Sequence, residues 1–287
     1  MTVPALLPAL ASPVGDAYAR LTEAHPGLRI QELGDGEPAP VGGGWVSAGE
    51  LADGGPALDA FLDWDHAQIL RDHGRQARPD VIASMGLHRY AWPACLLFTV
   101  PWFLHRRVPR LPVHDVSIQR ATGRMAVRVT EFTCLPDDPA AQLPGARVAP
   151  HEEALRAEVR GAVAEHIAPV LGGFGSRMRR GRRAVWGMAT DEVVEGLWHI
   201  AHRLGEEPRA ITELERLLPG ATEPYVGTPG FRELSGPDGE LLPTRDRAGC
   251  CLFYTLRPED TCVTCPRTCD ADRVARLRPA SDLPHTG

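Results

Sequence analysis

The chain has 287 residues, which is long enough to bury a sizeable core. Its formal net charge of −6 disfavours nucleic acid as a partner. It contains no lysine and no asparagine, which excludes Schiff-base lysines, phosphate-loop lysines and N-glycosylation sites. No apolar stretch approaches the roughly 20 residues that a membrane span requires. We therefore expect a cytoplasmic protein with no membrane insertion and no secretion signal.

Apolar residues at helical spacing predict a series of helices over the first 220 residues. Their expected ranges are 14–25, 57–75, 79–91 with a second apolar segment after Pro93, a helix from His151 onward, 182–204 and 208–218. Pro93 and Pro101 should kink or divide the region that contains them, because an internal proline removes a helix hydrogen bond.

Residues 113–133 change to a pattern that alternates apolar and polar side chains on both sides of Gly123, which predicts a two-stranded hairpin. Strands do not recur between the helices, so a parallel α/β fold is disfavoured. We predict an α+β fold that is mostly α-helical. Residues 1–240 would form a helical body with a β-hairpin, and residues 241–287 a small C-terminal metal-binding module.

Five of the seven cysteines lie close together near the C-terminus: Cys250, Cys251, Cys262, Cys265 and Cys269. In a reducing compartment, such clustering is typical of metal or redox sites. Cys262 and Cys265 form a common metal knuckle, whereas adjacent residues of an extended chain point to opposite sides. The backbone must therefore turn at the first pair, which Gly249 allows. Thiolates that approach from such different directions suit a two-metal cluster better than one zinc ion.

The ten residues between the two cysteine pairs predict a second hairpin. The segment Leu252–Leu256 is rich in β-formers, and Pro258 occupies the favoured second position of a turn. Such a hairpin would bring the two halves of the ligand set together.

The order Cys-Cys, ten residues, Cys, two residues, Cys resembles the iron–sulfur motif of the FhuF-like ferric siderophore reductases. The segments HRYAWPACLLFTVPWFLHRRVP and RRAVWGMATDEVVEGLWHIAHRL also resemble the helical body of that family's actinobacterial members. The resemblance implies a [2Fe–2S] cluster held by Cys250, Cys251, Cys262 and Cys265. It further implies a cytoplasmic oxidoreductase that reduces siderophore-bound iron(III), and a body related to the helical domain of the aerobactin-type siderophore synthetases. The pattern does not require Cys269.

One electron is enough for this task, because siderophores bind iron(III) through hard oxygen ligands that hold iron(II) far less well. We expect no acid or base residue beyond the cluster. No dinucleotide-binding fingerprint is present, so electrons should arrive from an external donor such as a ferredoxin or a flavin reductase. The expected substrate is a ferric siderophore, with the hydroxamate type favoured.

Candidate substrate residues flank the apolar segment that follows Pro93. They are His88, Arg89, Tyr90 and Trp92 on one side, and His105, Arg106 and Arg107 on the other. Arginine and aromatic side chains suit a bulky chelate, but core packing with arginines that extend to the surface explains them equally well.

Three further groups have less specific interpretations. Glu195, His199 and His202 share one helical face, where a structural role is favoured over metal binding. Cys95 and Cys134 are expected to be buried thiols. The arginine run consists of Arg177, Arg179, Arg180, Arg182 and Arg183, and it is either a solvated surface or a docking patch for an acidic electron donor or an anionic siderophore.

Two alternatives to the reductase remain open from the sequence. One is an iron–sulfur electron carrier or redox sensor without its own substrate. The other is a binding protein whose C-terminal module holds a structural zinc ion.

Overall fold

A computed structural model describes residues 12–259 and 261–278 of the chain. The helices in these residues are α1 (Gly15–Ala24), α2 (Ala48–Asp53), α3 (Pro56–His73), α4 (Pro79–His105), α5 (Glu152–Met178), α6 (Arg182–Arg203), α7 (Glu207–Leu217) and α8 (Asp270–Leu277). The predicted helices are confirmed in place, and the α+β class with mostly helical content is confirmed with them.

Helix α4 forms the centre of the core, packed between α5 and α6. Twenty of its 27 residues are buried, including Tyr90, Phe98 and Trp102. The helix continues through Pro93 and Pro101, so the prediction that these prolines divide it is wrong. Each internal proline costs about 3 kcal/mol, but burial on nearly every side of the helix offsets that cost.

Three small sheets accompany the helices. Their strands are β1 (Arg29–Glu32), β2 (Trp45–Ser47), β3 (Val108–Arg110), β4 (Val116–Gln119), β5 (Arg124–Val127), β6 (Glu131–Cys134), β7 (Ala146–Val148), β8 (Phe231–Ser235) and β9 (Leu241–Arg245). The hairpin predicted around Gly123 is confirmed as β4 and β5, and Gly123 has a φ of 63° in its turn. This hairpin belongs to a four-stranded sheet with the order β1-β5-β4-β2, in which β1 pairs with β5 in parallel.

The predicted hairpin between the cysteine pairs is wrong. Residues 252–259 and 261 contain no strand; instead, Leu252 adopts a φ of 68° and Phe253–Thr255 forms a 3-10 turn. The apolar side chains of Leu252, Phe253 and Leu256 do not pair in a sheet but pack on α3 and α4. Packing against helices, and not pairing between strands, places this segment.

The predicted boundary at residue 240 falls in the turn between β8 and β9, which pair antiparallel. The division into a body and a C-terminal module stays a prediction. Among the residues that the structure describes, no helix has both the length and the apolar character needed to cross a membrane.

Candidate metal centre

Asp191 of α6 fixes the chain that enters the first cysteine pair. Its carboxylate is fully buried and accepts hydrogen bonds from the backbone N–H groups of Ala248 and Gly249, at 3.0 and 2.6 Å. Gly249 packs so closely on α6 that a Cβ there would lie 3.1 Å from the backbone nitrogen of Met188. This close approach favours glycine, and Asp191 anchors the backbone one residue before Cys250.

Two arginines extend this anchor. Arg245 is fully buried, and its guanidinium donates to Asp191 at 2.6 Å and to Glu195 at 2.7 Å. Arg247 lies 3.6 Å from Asp191 and 3.7 Å from Glu192, with only 6% of its side chain exposed. Its Nε and Nη2 atoms have no hydrogen-bond partner. Arg247 is therefore a buried cation just before the first cysteine pair, and it is stabilised by nearby carboxylates more than by hydrogen bonds.

The segment between the cysteine pairs is seated on α3 and α4. Leu256 is buried against an apolar cluster that includes Ile69, Val81 and Ile82. The Leu256 carbonyl accepts a hydrogen bond from Arg75 at 3.2 Å, and the Phe253 ring lies 5.5 Å from the ring of His73. These contacts fix the path of the chain between the first and the second cysteine pair.

Arg273 of α8 contacts the backbone of the second cysteine pair. Its guanidinium is buried and donates to the carbonyls of Cys265 at 3.1 Å and Arg245 at 3.3 Å. Thr268 donates to the carbonyl of Cys262 at 3.0 Å. Arg273 therefore ties the end of β9 to the knuckle that contains Cys262 and Cys265.

The thiols of the motif are close enough for the charge of one to shift the pKa of another. Burial raises the pKa of Cys251, and the charges of Cys262 and Cys250 raise it further, while Arg247 opposes the rise. Cys262 is exposed as a residue, but protein atoms surround its sulfur, and this desolvation, with the charge of Cys265, raises the pKa of its thiol. The chain path thus brings Cys251 near Cys262 across the ten-residue segment.

Three contacts of the sulfur atoms match what a thiolate cluster needs. The N–H of Leu252 donates to the Cys250 sulfur at 3.4 Å, the N–H of Phe253 donates to the Cys251 sulfur, and the Thr264 hydroxyl lies 3.9 Å from the Cys262 sulfur. Hydrogen bonds to sulfur and nearby positive charge stabilise thiolate-bound metal. Across residues 12–259 and 261–278, however, no three Cys, His, Asp or Glu side chains are arranged as ligands of one metal ion. The donor set fits a thiolate cluster by its chemistry.

Cys269 differs from these four residues. It is exposed and occupies the N-cap position of α8, where its side chain makes no capping hydrogen bond.

The predicted substrate residues have separate surroundings. Tyr90 is fully buried, with its hydroxyl 2.7 Å from Nε2 of His166. At the end of α4 each basic side chain has a carboxylate partner: His105 contacts Asp16, Arg106 contacts Glu152 and Glu213, and Arg107 contacts Asp138. Of the predicted substrate residues, His88, Arg89 and Trp92 line one cavity.

Glu195, His199 and His202 line one cavity of about 330 Å³. Each has a different partner: Glu195 binds Arg245, the His199 ring lies 5.8 Å from the ring of Trp92, and His202 lies 2.7 Å from Glu207. Cys95 and Cys134 are buried, as expected, and burial raises the pKa of both thiols.

The arginine run extends from the end of α5 to the start of α6, and only Arg179 and Arg180 lie between the two helices. Arg177 pairs with Asp59, and a guanidinium nitrogen of Arg180 lies 3.3 Å from the sulfur of Met188, the residue that packs on Gly249. Arg182 and Arg183 are exposed. Arg180 therefore lies near the chain that enters the first cysteine pair.

Sequence reasoning missed Asp191, Glu192, Arg247 and Arg273 as supports of the centre. One signal was present for the first two residues: an adjacent Asp-Glu pair interrupts a long apolar helix, and buried carboxylates require cationic partners. The position of Arg247, three residues before Cys250, was a weaker signal.

Four thiols are a soft donor set that can hold zinc or an iron–sulfur cluster. Residues 247–267 match the family described as the FhuF 2Fe-2S C-terminal domain, and the chain is consistent with a FhuF-like family. The match supports a [2Fe–2S] cluster as the cofactor. It includes Cys250, Cys251, Cys262 and Cys265 and ends before Cys269. No curated protein matches the chain significantly.

Proposed function

We propose that the protein is a cytoplasmic ferric siderophore reductase that delivers one electron at a time to siderophore-bound iron(III). The observation that carries this proposal is the match of residues 247–267 to the FhuF 2Fe-2S C-terminal domain, which contains the whole Cys-Cys, ten-residue, Cys-x-x-Cys pattern. Cys250, Cys251, Cys262 and Cys265 would hold the cluster. When bound, a [2Fe–2S] cluster supplies a one-electron carrier whose potential depends on nearby charge and on hydrogen bonds to sulfur.

The residues of this chain contribute the surroundings of that carrier. Arg247, which is buried against Asp191 and Glu192, places a positive charge near Cys251 and Cys262. A fixed cation favours the reduced, more negative state of a cluster, and the N–H groups of Leu252 and Phe253 act in the same direction. These residues therefore adjust the driving force, and no side chain needs to transfer a proton.

Electrons would arrive from a separate protein. The exposed Arg182 and Arg183, together with Arg180 beside Met188, give the surface next to the first cysteine pair a positive charge. Because opposite charges steer association, an acidic carrier such as a ferredoxin suits this surface.

A single-turnover experiment tests the function. Protein reduced with dithionite and freed of excess reductant is mixed anaerobically with a ferric siderophore and an iron(II) trap. We expect one trapped iron(II) for each cluster reoxidised, faster than with an unrelated ferric chelate of similar potential. Equal rates for both chelates would contradict a dedicated reductase and favour an electron carrier without its own substrate.

A further inference from the structure

Two cavities have one arginine in common. The first, of about 220 Å³, lies beside α4 and is lined by His25, His88, Arg89, Trp92 and Arg120 among others. The second, of about 260 Å³, is lined by Trp45, Trp64 and again Arg120. Arg120 lies in the turn of the β4–β5 hairpin. We call the two cavities together the Arg120 groove.

The groove contains two closely spaced guanidiniums. Arg89 and Arg120 share a single carboxylate, since both contact the same oxygen of the fully buried Asp65, at 2.5 and 3.3 Å. Among the described residues, Nε of Arg120 has no hydrogen-bond partner. Glu50 also lines the second cavity, where its carboxylate accepts hydrogen bonds from Ser47 in the cap of α2. In a chain with a net charge of −6, two half-buried guanidiniums with one carboxylate between them form a site for an anion.

Aromatic faces border this charge. The Arg120 guanidinium lies 4.7 Å from the ring centre of Trp64, and Arg124 lies 5.6 Å from that of Trp45. On the other side, the Trp92 ring lies 5.2 Å from the ring of His25. All three tryptophans are only half buried. Flat apolar surfaces next to cations suit a ligand that is both aromatic and anionic.

A short series of side chains connects the groove to the cysteines. Nδ1 of His88 lies 2.6 Å from a carboxylate oxygen of Glu192, and the same oxygen lies 3.7 Å from Nη2 of Arg247. The charge of Arg247 acts on both Cys251 and Cys262. A chelate in the groove would therefore be separated from the thiols by the side chains of His88, Glu192 and Arg247.

We propose that the Arg120 groove binds the ferric complex of a bis-catecholate chelator. Two doubly deprotonated catecholates around iron(III) leave a single negative charge, which the guanidiniums of Arg89 and Arg120 attract, and their rings match the tryptophan faces. Three hydroxamates would leave a neutral, non-aromatic complex that uses neither feature. This inference rests on the proposed function and replaces the expected hydroxamate preference. One electron from the cluster would convert the bound iron(III) to iron(II), and the external donor would restore that electron.

Gallium(III) separates binding from reduction, because it forms complexes of the same charge as iron(III) and accepts no electron. Cluster-loaded protein is titrated with the gallium complex of a linear bis-catecholate, and binding is followed by calorimetry and tryptophan quenching. We expect Arg120→Gln to weaken binding about tenfold or more and Trp64→Leu to weaken it several-fold. The matched control is Arg110→Gln, an equally large change at an exposed arginine of β3, which should leave binding unchanged. Circular dichroism and the visible spectrum verify that each variant is folded and loaded.

The outcomes distinguish the groove from the function. Equal binding by wild type and Arg120→Gln overturns the groove, even if iron is still reduced. Equal binding of a neutral trihydroxamate complex, or of the non-aromatic gallium citrate complex, overturns the catecholate class. If the gallium complex binds as expected but the reduced protein transfers no electron to any ferric chelate, the groove stands and the reductase function fails.

Discussion

Asp191 and Arg247 show how single charges build the cysteine site. Asp191 is buried on α6 and serves Arg245, Arg247 and two backbone N–H groups of the chain that leads to Cys250. Buried charges are tolerated only when paired, so removal of this carboxylate would leave two cations without their main counter-charge.

We therefore expect Asp191→Asn to lower the free energy of unfolding by about 3–5 kcal/mol, as measured by urea denaturation. The control is Asp238→Asn, because Asp238 is exposed and pairs only with other surface charges such as Arg278; its effect should stay within about 1 kcal/mol. A change of similar size in both variants would show that Asp191 is not a buried anchor.

The cysteines themselves can be separated by substitution. Cys262→Ser should abolish or destabilise the cluster, because a hydroxyl is a poor ligand for this soft site. Cys269→Ser should retain it, since Cys269 is exposed and lies outside the matched segment, at the start of α8. The visible spectrum and the iron content of anaerobically purified variants measure this difference. An unchanged spectrum in Cys262→Ser would refute the ligand assignment.

At the scale of elements, packing of the segment between the cysteine pairs on α3 and α4 replaces the strand pairing that the sequence suggested. Leu256 is its anchor, with 2% of its surface exposed. Leu256→Ala should cost about 2–4 kcal/mol and increase amide hydrogen exchange in residues 250–262 more than in α5. The matched control is Leu70→Ala on α3, where 45% of the residue is exposed. Uniform exchange changes would contradict a local anchor.

The junction of α4 and α5 makes stability depend on pH through His166. Its Nδ1 donates to the carbonyl of Leu111, and its Nε2 accepts from the Tyr90 hydroxyl. Burial lowers the pKa of His166 from 6.5 to about 4, against the raising effect of the Leu111 hydrogen bond. Because the unfolded chain binds the proton more readily, this residue's contribution is present above about pH 6.5 and is lost as the pH falls toward 4.

Between pH 7 and pH 5 the expected loss from this one residue is about 2 kcal/mol. The measurement compares the change in unfolding free energy over that range for the wild type and for His166→Gln, which cannot titrate. A smaller pH dependence in the variant is expected, whatever its stability at pH 7. An equal dependence in both proteins would show that His166 is protonated in the native state.

The elements also show which features a sequence reveals. The six longer helices and the β4–β5 hairpin follow from local periodicity, so their positions were predictable, whereas the short helices α2 and α8 were not predicted. The parallel pairing of β1 with β5 joins residues 29–32 to residues 124–127, and no local pattern reports such distant partners. The predicted break at Pro93 failed for the same reason, since the burial that keeps α4 continuous comes from α5 and α6, which are distant in sequence.

The site was predictable to a similar degree. The spacing of the four cysteines indicates the proposed ligands, since it is a property of neighbouring residues. Asp191, Glu192 and Arg273 lie on helices α6 and α8, and although the adjacent Asp-Glu pair was a signal of buried charge, only the fold shows which groups they contact. The turn at Leu252–Thr255 was not foreseen, because its β-forming side chains are satisfied by α3 and α4.

At the scale of the whole molecule, the cysteine site connects to two positively charged surfaces on an acidic protein. One is the arginine run, reached through Arg180 and Met188, and the other is the Arg120 groove, reached through Glu192 and His88. An acidic electron donor at the first and an anionic ferric chelate at the second could be bound at the same time. This arrangement suits a protein that receives an electron from one partner and passes it to another.

The central claim is that the four cysteines hold a two-iron cluster. Anaerobic purification, followed by metal and sulfide analysis with visible and electron paramagnetic resonance spectroscopy, tests it most directly. We predict two iron and two inorganic sulfide per chain, visible charge-transfer bands, and a paramagnetic signal that appears on one-electron reduction. A colourless protein with one zinc ion per chain would contradict the claim and would identify the module as a structural zinc site.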